Sequence, residues 1–176
     1  RCRLNFAAIV HDIAAALRPH AGEQGHVATY IPALARVRAD QFGIALHTVD
    51  GIEAGAGDCD VSFSIQSVSK VFSLTMSLQA IGDELWKRVG REPSGNPFNS
   101  LVQLESEHGK PRNPFINAGA IVVADVLLGL GRTSADLVAM LSDLCGEAVD
   151  IDEEVAASEA ETGFRNRALA HFMKSF

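Results

Sequence analysis

Ser67 and Lys70 stand three positions apart at the opening of an apolar stretch with helical spacing. A serine hydroxyl is a weak nucleophile until a neighbouring base takes its proton. On a helix, positions i and i+3 share a face, so the lysine amine can serve as that base once its pKa falls. Desolvation and the partial positive charge of a helix N-terminus both lower it. The Ser67 backbone N–H is then an oxyanion donor in the same turn. These residues predict a serine enzyme that transfers an acyl group from a small amide. The pair alone is weak evidence: with 13 serines and 4 lysines in the chain, chance supplies roughly 0.3 such pairs.

Two further groups could complete a site. In Gly109-Lys110-Pro111-Arg112-Asn113-Pro114-Phe115-Ile116-Asn117-Ala118-Gly119-Ala120-Ile121, a rigid turn leads into a helix. Asn117 stands where an N-cap would, and either caps the helix or donates to a substrate carboxylate. In Ser158-Glu159-Ala160-Glu161-Thr162-Gly163-Phe164-Arg165-Asn166-Arg167, Glu159 could pair with a substrate ammonium and Asn166 with its carboxylate. The alternative is an acidic, solvated helix face, because Asp150, Asp152, Glu153 and Glu154 lie just upstream.

The elements that must position these residues follow from periodicity and punctuation. Leu4–Leu17 has helical spacing and stops at Arg18-Pro19. Gly22–Gly25 reads as a loop, and Ile31–Val37 as a short helix with Pro32 in its first turn. Gln41–Val49 and Glu53–Ser64 are expected as strands joined at Asp50-Gly51, with a bulge at Gly55 or Gly57. From Ser67 a helix runs to Gly82, its inner face traced by Val68, Val71, Phe72, Met76 and Ala80. Further helices are expected over 118–130, 134–145, 151–162 and 164–173. Asp83–Val89 reads as a turn or short helix, and 91–99 and 107–114 as loops. Two strands are too few for these helices to cover.

Bulk composition narrows the class. The 176 residues are 47% hydrophobic, which fits one globular domain with a real core. A net charge of -7 with scattered basic residues argues against a nucleic-acid surface. Cys2, Cys59 and Cys145 lie far apart without a Cys-x-x-Cys pair, so a reducing, cytoplasmic setting is expected. No apolar run has the length of a membrane span, and the first residues lack a signal-peptide core. The six histidines show no ligand spacing, so neither metal nor cofactor is expected.

Taken in order, Phe63-Ser64-Ile65-Gln66-Ser67-Val68-Ser69-Lys70-Val71-Phe72, the Asn113-Pro114 to Ile121 run, and Ser158-Glu159 through Arg165-Asn166-Arg167-Ala168 resemble the serine-dependent glutaminases. Tyr30-Ile31-Pro32-Ala33-Leu34-Ala35 adds to the likeness, which extends over the whole chain. The resemblance implies an α+β, β-lactamase/penicillin-binding-like fold, with a helical cluster on an antiparallel sheet. It implies hydrolysis of L-glutamine to L-glutamate and ammonia, with Ser67 as nucleophile and Lys70 as base. Asn117, Glu159 and Asn166 would hold the substrate's α-carboxylate and α-ammonium, with Gln66 and Tyr30 lining the pocket. It also implies a homo-oligomer. Glutaminases continue well past the position of Phe176, so the chain is expected to be one partial catalytic domain, 1–176. Only the first sheet strands, and none of the later tyrosines, would then be present. The Ser-x-x-Lys pair is shared with penicillin-recognising enzymes, though this chain has no Lys-Thr-Gly. A non-catalytic helical fragment is the remaining alternative.

Overall fold

The structure is a computed structural model that describes residues 4–23 and 25–176. These fall into two compact units, the described residues up to Ser64 and residues 65–176.

The first unit is a helix on a hairpin. Helix α1, Phe6–Leu17, opens on Asn5, whose side chain accepts from the Ala8 N–H, and buries Val10 and Ala14 one turn apart. It packs on strands β1, Gly43–His47, and β2, Glu53–Gly57, which pair antiparallel in unbroken register from Gly43↔Gly57 to His47↔Glu53. Asp50-Gly51 does form the turn: the Gly51 N–H donates to the Thr48 carbonyl, and Gly51 has φ +82°.

Two expectations about this hairpin fail for one reason. There is no bulge in the ladder, and β2 ends at Gly57 instead of Ser64. Gly57 has φ +71°, and a Cβ there would sit 2.3 Å from the Phe42 carbonyl oxygen. The chain therefore turns out of the sheet. Asp58 then replaces the ladder: its N–H donates to the Phe42 carbonyl, and its carboxylate accepts the Phe42 N–H at 2.9 Å. That bond holds the Asp58 carboxyl below the usual carboxylate range, with Arg18 adding to the effect. Gly55 lies close to Cys59: a Cβ there would sit 2.8 Å from the Cys59 sulfur, which would have to rotate away. The expected helix over 31–37 is a 3-10 turn at Leu34–Arg36.

The second unit is helical throughout its described elements. A 3-10 turn, Gln66–Val68, leads into α2, Ser69–Ile81, and a second covers Gly82–Lys87. Then come α3, Leu101–Ser106, α4, Asn117–Gly129, and α5, Ser134–Cys145. The last two are α6, Glu153–Thr162, and α7, Phe164–Met173. Helix α4 buries Ala118, Gly119, Val122, Val123, Val126 and Leu127, and packs on α2 and α7. One core joins Met76, Leu85 and Val89 to the α4 valines; a smaller one joins Leu104, Ala118 and Leu169. Several helix stops and starts follow the sequence signals. Thr133 and Asp136 form a capping box, and Gly146 closes α5 in the left-handed region.

The inner face of α2 is not the expected one. Val68 and Val71 are exposed, while Leu74, Leu78 and Ile81 pack against the core with Met76. Helix α3 falls in a stretch with no predicted element; Ser100 caps it by accepting the Gln103 N–H.

Ser77 is the odd residue of α2. It is fully buried, and its hydroxyl has no hydrogen-bond partner among the described residues. Its neighbours Ser73 and Thr75 bond back to the carbonyls of Ser69 and Val71. An unsatisfied buried hydroxyl costs about 1–3 kcal/mol, and alanine is the better helix former. Ser77→Ala therefore raises the melting temperature by about 2–4 °C per kcal/mol recovered, measured by thermal denaturation.

Candidate active site

Ser67 lies just outside α2, in the 3-10 turn, and Lys70 is the second residue of the helix. The residue before the serine carries the strain. Gln66 has φ +43°, one of two non-glycine residues with positive φ among those described. Such a conformation costs on the order of 1–3 kcal/mol and persists only where the surroundings impose it. Its effect is to end the preceding segment sharply and present Ser67 at the surface. The Ser67 side chain is exposed and its hydroxyl makes no hydrogen bond among the described residues.

Lys70 has been drawn to the opposite partner set. Its Nζ donates to the Phe115 carbonyl at 3.0 Å and to Asn117 Oδ1 at 2.9 Å. The Phe98 ring lies 5.6 Å from the same nitrogen. Burial pushes the Lys70 amine below the usual lysine range, while the negative charge of Glu159 opposes that shift. The N-terminus of α4 adds positive potential at the residues Lys70 touches.

Asn117 is not the N-cap. Ile116 occupies that position, and Asn117 is the first residue of α4. Among the described residues no side chain caps α4: Asn113 Oδ1 accepts the N–H groups of Phe115 and Ile116, which precede the helix, and the Asn117 N–H donates to the Phe98 carbonyl. The Asn117 side-chain amide turns to partners on other helices. Its Oδ1 accepts from Lys70, and its Nδ2 donates to Asn166 Oδ1 of α7 at 3.1 Å.

The turn carrying Phe115 and Asn117 is tied on both sides. Gly90 N–H donates to the Pro111 carbonyl and Glu92 N–H to the Arg112 carbonyl, while Asn113 Nδ2 donates to the Glu92 carbonyl. Arg112 pairs with Glu107 at 2.6 Å. On its other side the backbone at Asn113 lies against Gly119. An open hollow of about 500 Å³ adjoins this turn, lined by Leu74, Trp86, Arg91, Phe98, Asn113 and Phe115.

Ser67, Lys70, Asn117, Glu159 and Asn166 thus all belong to the second unit, and the last four are linked by hydrogen bond or charge. Glu159 is half-buried, unlike Glu153 and Glu154 upstream, which are exposed. Arg167 braces the corner that holds it: its guanidinium donates to the Ala160 and Glu161 carbonyls and stacks on Phe164. Gln66 is half-buried beside Ser67 in sequence. Tyr30 belongs to the first unit, where the residue is 76% exposed. The Phe115 carbonyl was missed from sequence, since a backbone acceptor leaves no residue-type signal. No cluster of metal-binding type occurs among the described residues.

Comparison with known proteins identifies the family. The glutaminase family matches residues 25–176. A curated glutaminase of Azorhizobium caulinodans is 59% identical over 172 residues, covering 96% of this chain and 55% of its own length. One from a Methylobacterium species is 56% identical over 171 residues, covering 95% and 55%. A probable glutaminase from Bacillus subtilis, solved in complex with 6-diazo-5-oxo-L-norleucine, superposes with a TM-score of 0.79 at 37% identity, over 99% of this chain and 53% of that one. The fold is that of the solved glutaminases, β-lactamase-like, here with a two-stranded antiparallel sheet among the described residues. The chain belongs to the glutaminase family. It spans about 55% of the length of these curated relatives.

Proposed function

We propose that the protein carrying this chain hydrolyses the side-chain amide of L-glutamine to L-glutamate and ammonia through a serine acyl-enzyme. The observation that carries the reading is a partly desolvated lysine, held by two neutral acceptors, one helical turn from an exposed and unbonded serine. Family membership supplies the substrate class. The ligand of the Bacillus subtilis relative is, by its name, an L-α-amino acid with a ketone at C5, where glutamine has its amide carbonyl.

In the first half-reaction the neutral Lys70 amine takes the Ser67 proton as Oγ attacks the amide carbon. The carbonyl electrons move to oxygen, where the Ser67 N–H stabilises the charge. The intermediate collapses, the C–N bond breaks, and the leaving nitrogen takes the Lys70 proton and departs as ammonia. In the second half, water attacks the ester, Lys70 takes the water's proton, and Ser67 leaves with that proton as its hydroxyl is restored. Glu159 suits the substrate ammonium, and Asn117 and Asn166 its carboxylate, each through an amide N–H. Gln66 and Tyr30 are assigned to substrate on the family resemblance. Residues 1–176 are read as one partial catalytic domain. The reading extends to a cytoplasmic homo-oligomer without metal or cofactor, acting on neither nucleic acid nor membrane. The free thiols of Cys59 and Cys145 suit the compartment, and exposed Leu128 and Leu144 suit further packing. Among the described residues, no helix is long and apolar enough to cross a membrane.

The test is ammonia release by the full-length natural protein. Glutamine is expected to yield equal amounts of glutamate and ammonia, while labelled penicillin leaves the protein unmodified. Penicillin labelling with no glutamine turnover would reverse the assignment.

A further inference from the structure

We infer that Asn117 is a positioning residue for Lys70: together with the Phe115 carbonyl it takes both N–H bonds of the neutral amine, leaving the nitrogen lone pair as the one vertex free to take a proton. The inference rests on the glutaminase reading of the site and assigns Asn117 a role beyond holding substrate.

In the charged state the lysine nitrogen can only donate, so the Asn117 group facing it at 2.9 Å is then the oxygen, which turns Nδ2 toward Asn166 at 3.1 Å. The neutral amine keeps these bonds in the same orientation. Asn166 in turn must present its oxygen to Asn117, so its own NH₂ points onward. A neutral amine has two hydrogens and one lone pair on a tetrahedral nitrogen. Two acceptors at 2.9 and 3.0 Å account for both hydrogens. The Cα–Cε stem fills the third vertex, and only the lone pair is left.

Neutral acceptors matter here. An amide oxygen and a carbonyl orient the amine without the full negative charge that would lock a proton on it. The surroundings can be set out element by element. Helix α6 contributes the charge of Glu159, which favours the ammonium. The segment before α3 contributes the Phe98 ring, which favours it weakly at 5.6 Å. The turn before α4 contributes a carbonyl, α4 an amide, and α7 the Asn166 amide through Asn117. Burial of Lys70 works against the ammonium. An asparagine at 117 keeps this balance where an aspartate would overturn it, since a carboxylate at that distance raises an amine pKa by about 1–3 units.

The experiment compares Asn117→Asp and Asn117→Ala with wild type in the full-length natural protein. Lys70 titration is read from the pH dependence of its acylation by acetic anhydride, quantified on the Lys70 peptide by mass spectrometry. This readout needs no substrate. In Asn117→Asp the midpoint is expected to rise by one unit or more, and the acidic limb of the kcat profile to move with it. In Asn117→Ala the amine loses its alignment: kcat is expected to fall at least tenfold, by more than KM rises, at every pH. An unmoved Lys70 midpoint in Asn117→Asp, or kcat within twofold of wild type in Asn117→Ala, overturns the inference. A Asn117→Ala effect confined to KM also overturns it, because that is the signature of substrate binding alone. If wild type fails to turn over glutamine, the activity reading falls, and the Lys70 titration still decides whether Asn117 sets the state of the lysine. Melting temperatures of the variants identify any that have lost the fold, and the near-isosteric Asn117→Asp then carries the decision.

Discussion

Ser67→Ala is expected to lower kcat for glutamine by about 10⁴-fold or more while leaving the melting temperature unchanged, measured by ammonia release and thermal denaturation. The size follows from the role: removing a nucleophile that works as a unit with its base forfeits nearly all covalent catalysis, a loss on the order of 10⁴–10⁶. The absence of a folding cost follows from the surroundings. The Ser67 side chain is exposed and its hydroxyl holds no partner among the described residues, so no bond is broken and no cavity opens. Lys70→Met provides the contrast. It removes the base, and it also strands two acceptors, the Phe115 carbonyl and Asn117 Oδ1. Stranded acceptors cost about 1–3 kcal/mol only where they are buried; the Phe115 acceptor is exposed and the Asn117 one part-buried, so this variant loses activity with at most a small loss of stability. The double variant is expected to be no slower than the worse single one, since nucleophile and base act in one step. Loss in the double equal to the product of the single losses would mean the two residues act separately, and the Ser-Lys assignment would fall.

How much of this was legible in the sequence depends on the range of the interaction. Signals that act within a few residues were readable: Asp50-Gly51 at the hairpin, Gly82 and Gly146 at helix ends, Thr133 with Asp136 at a helix start. The i, i+3 spacing of Ser67 and Lys70 was also local, yet Ser67 proves to stand outside α2, because Gln66 adopts a left-handed conformation that no pattern of apolar residues encodes. Long-range facts were hidden. The Lys70–Asn117 bond joins residues 47 positions apart and exists only because α2 packs on α4. The same docking turns Leu74, Leu78 and Ile81 inward and leaves Val68 and Val71 outside, against the periodicity alone. Asn117 looked like a cap since asparagine at a helix start often is one; the helix begins one residue earlier than that reading assumed, with Ile116 at the N-cap, so the Asn117 side chain reaches Lys70 and Asn166 instead. Glu159 was indistinguishable in sequence from its solvated neighbours, and what separates it is proximity to Lys70.

Gly119→Ala and Gly129→Ala are the same change in the same helix, and they are expected to act with opposite signs. Helix propensity alone favours alanine at both positions by about 1 kcal/mol. At Gly129 a Cβ meets nothing within 4 Å, so propensity decides. The melting temperature of Gly129→Ala is expected to rise by up to about 2–4 °C. At Gly119 a Cβ would stand 1.9 Å from the Asn113 carbonyl oxygen and 2.9 Å from the Pro114 Cα, both backbone atoms. No rotamer relieves a clash with backbone, so the turn itself must move, and overpacking of this kind costs about 1–3 kcal/mol or more. That exceeds the propensity gain, and stability falls. The consequence for activity is larger than for stability. The displaced segment is the one that delivers the Phe115 carbonyl and Asn117 to Lys70, and a displacement on the order of 1 Å at a catalytic group can cost 10²-fold in rate. Gly119→Ala is therefore expected to lower kcat by about 10²-fold or more in protein that remains folded at the assay temperature. Gly129→Ala should keep wild-type turnover. Equal activity in the two variants would show that close packing of the 113–114 backbone on α4 has no part in placing the lysine.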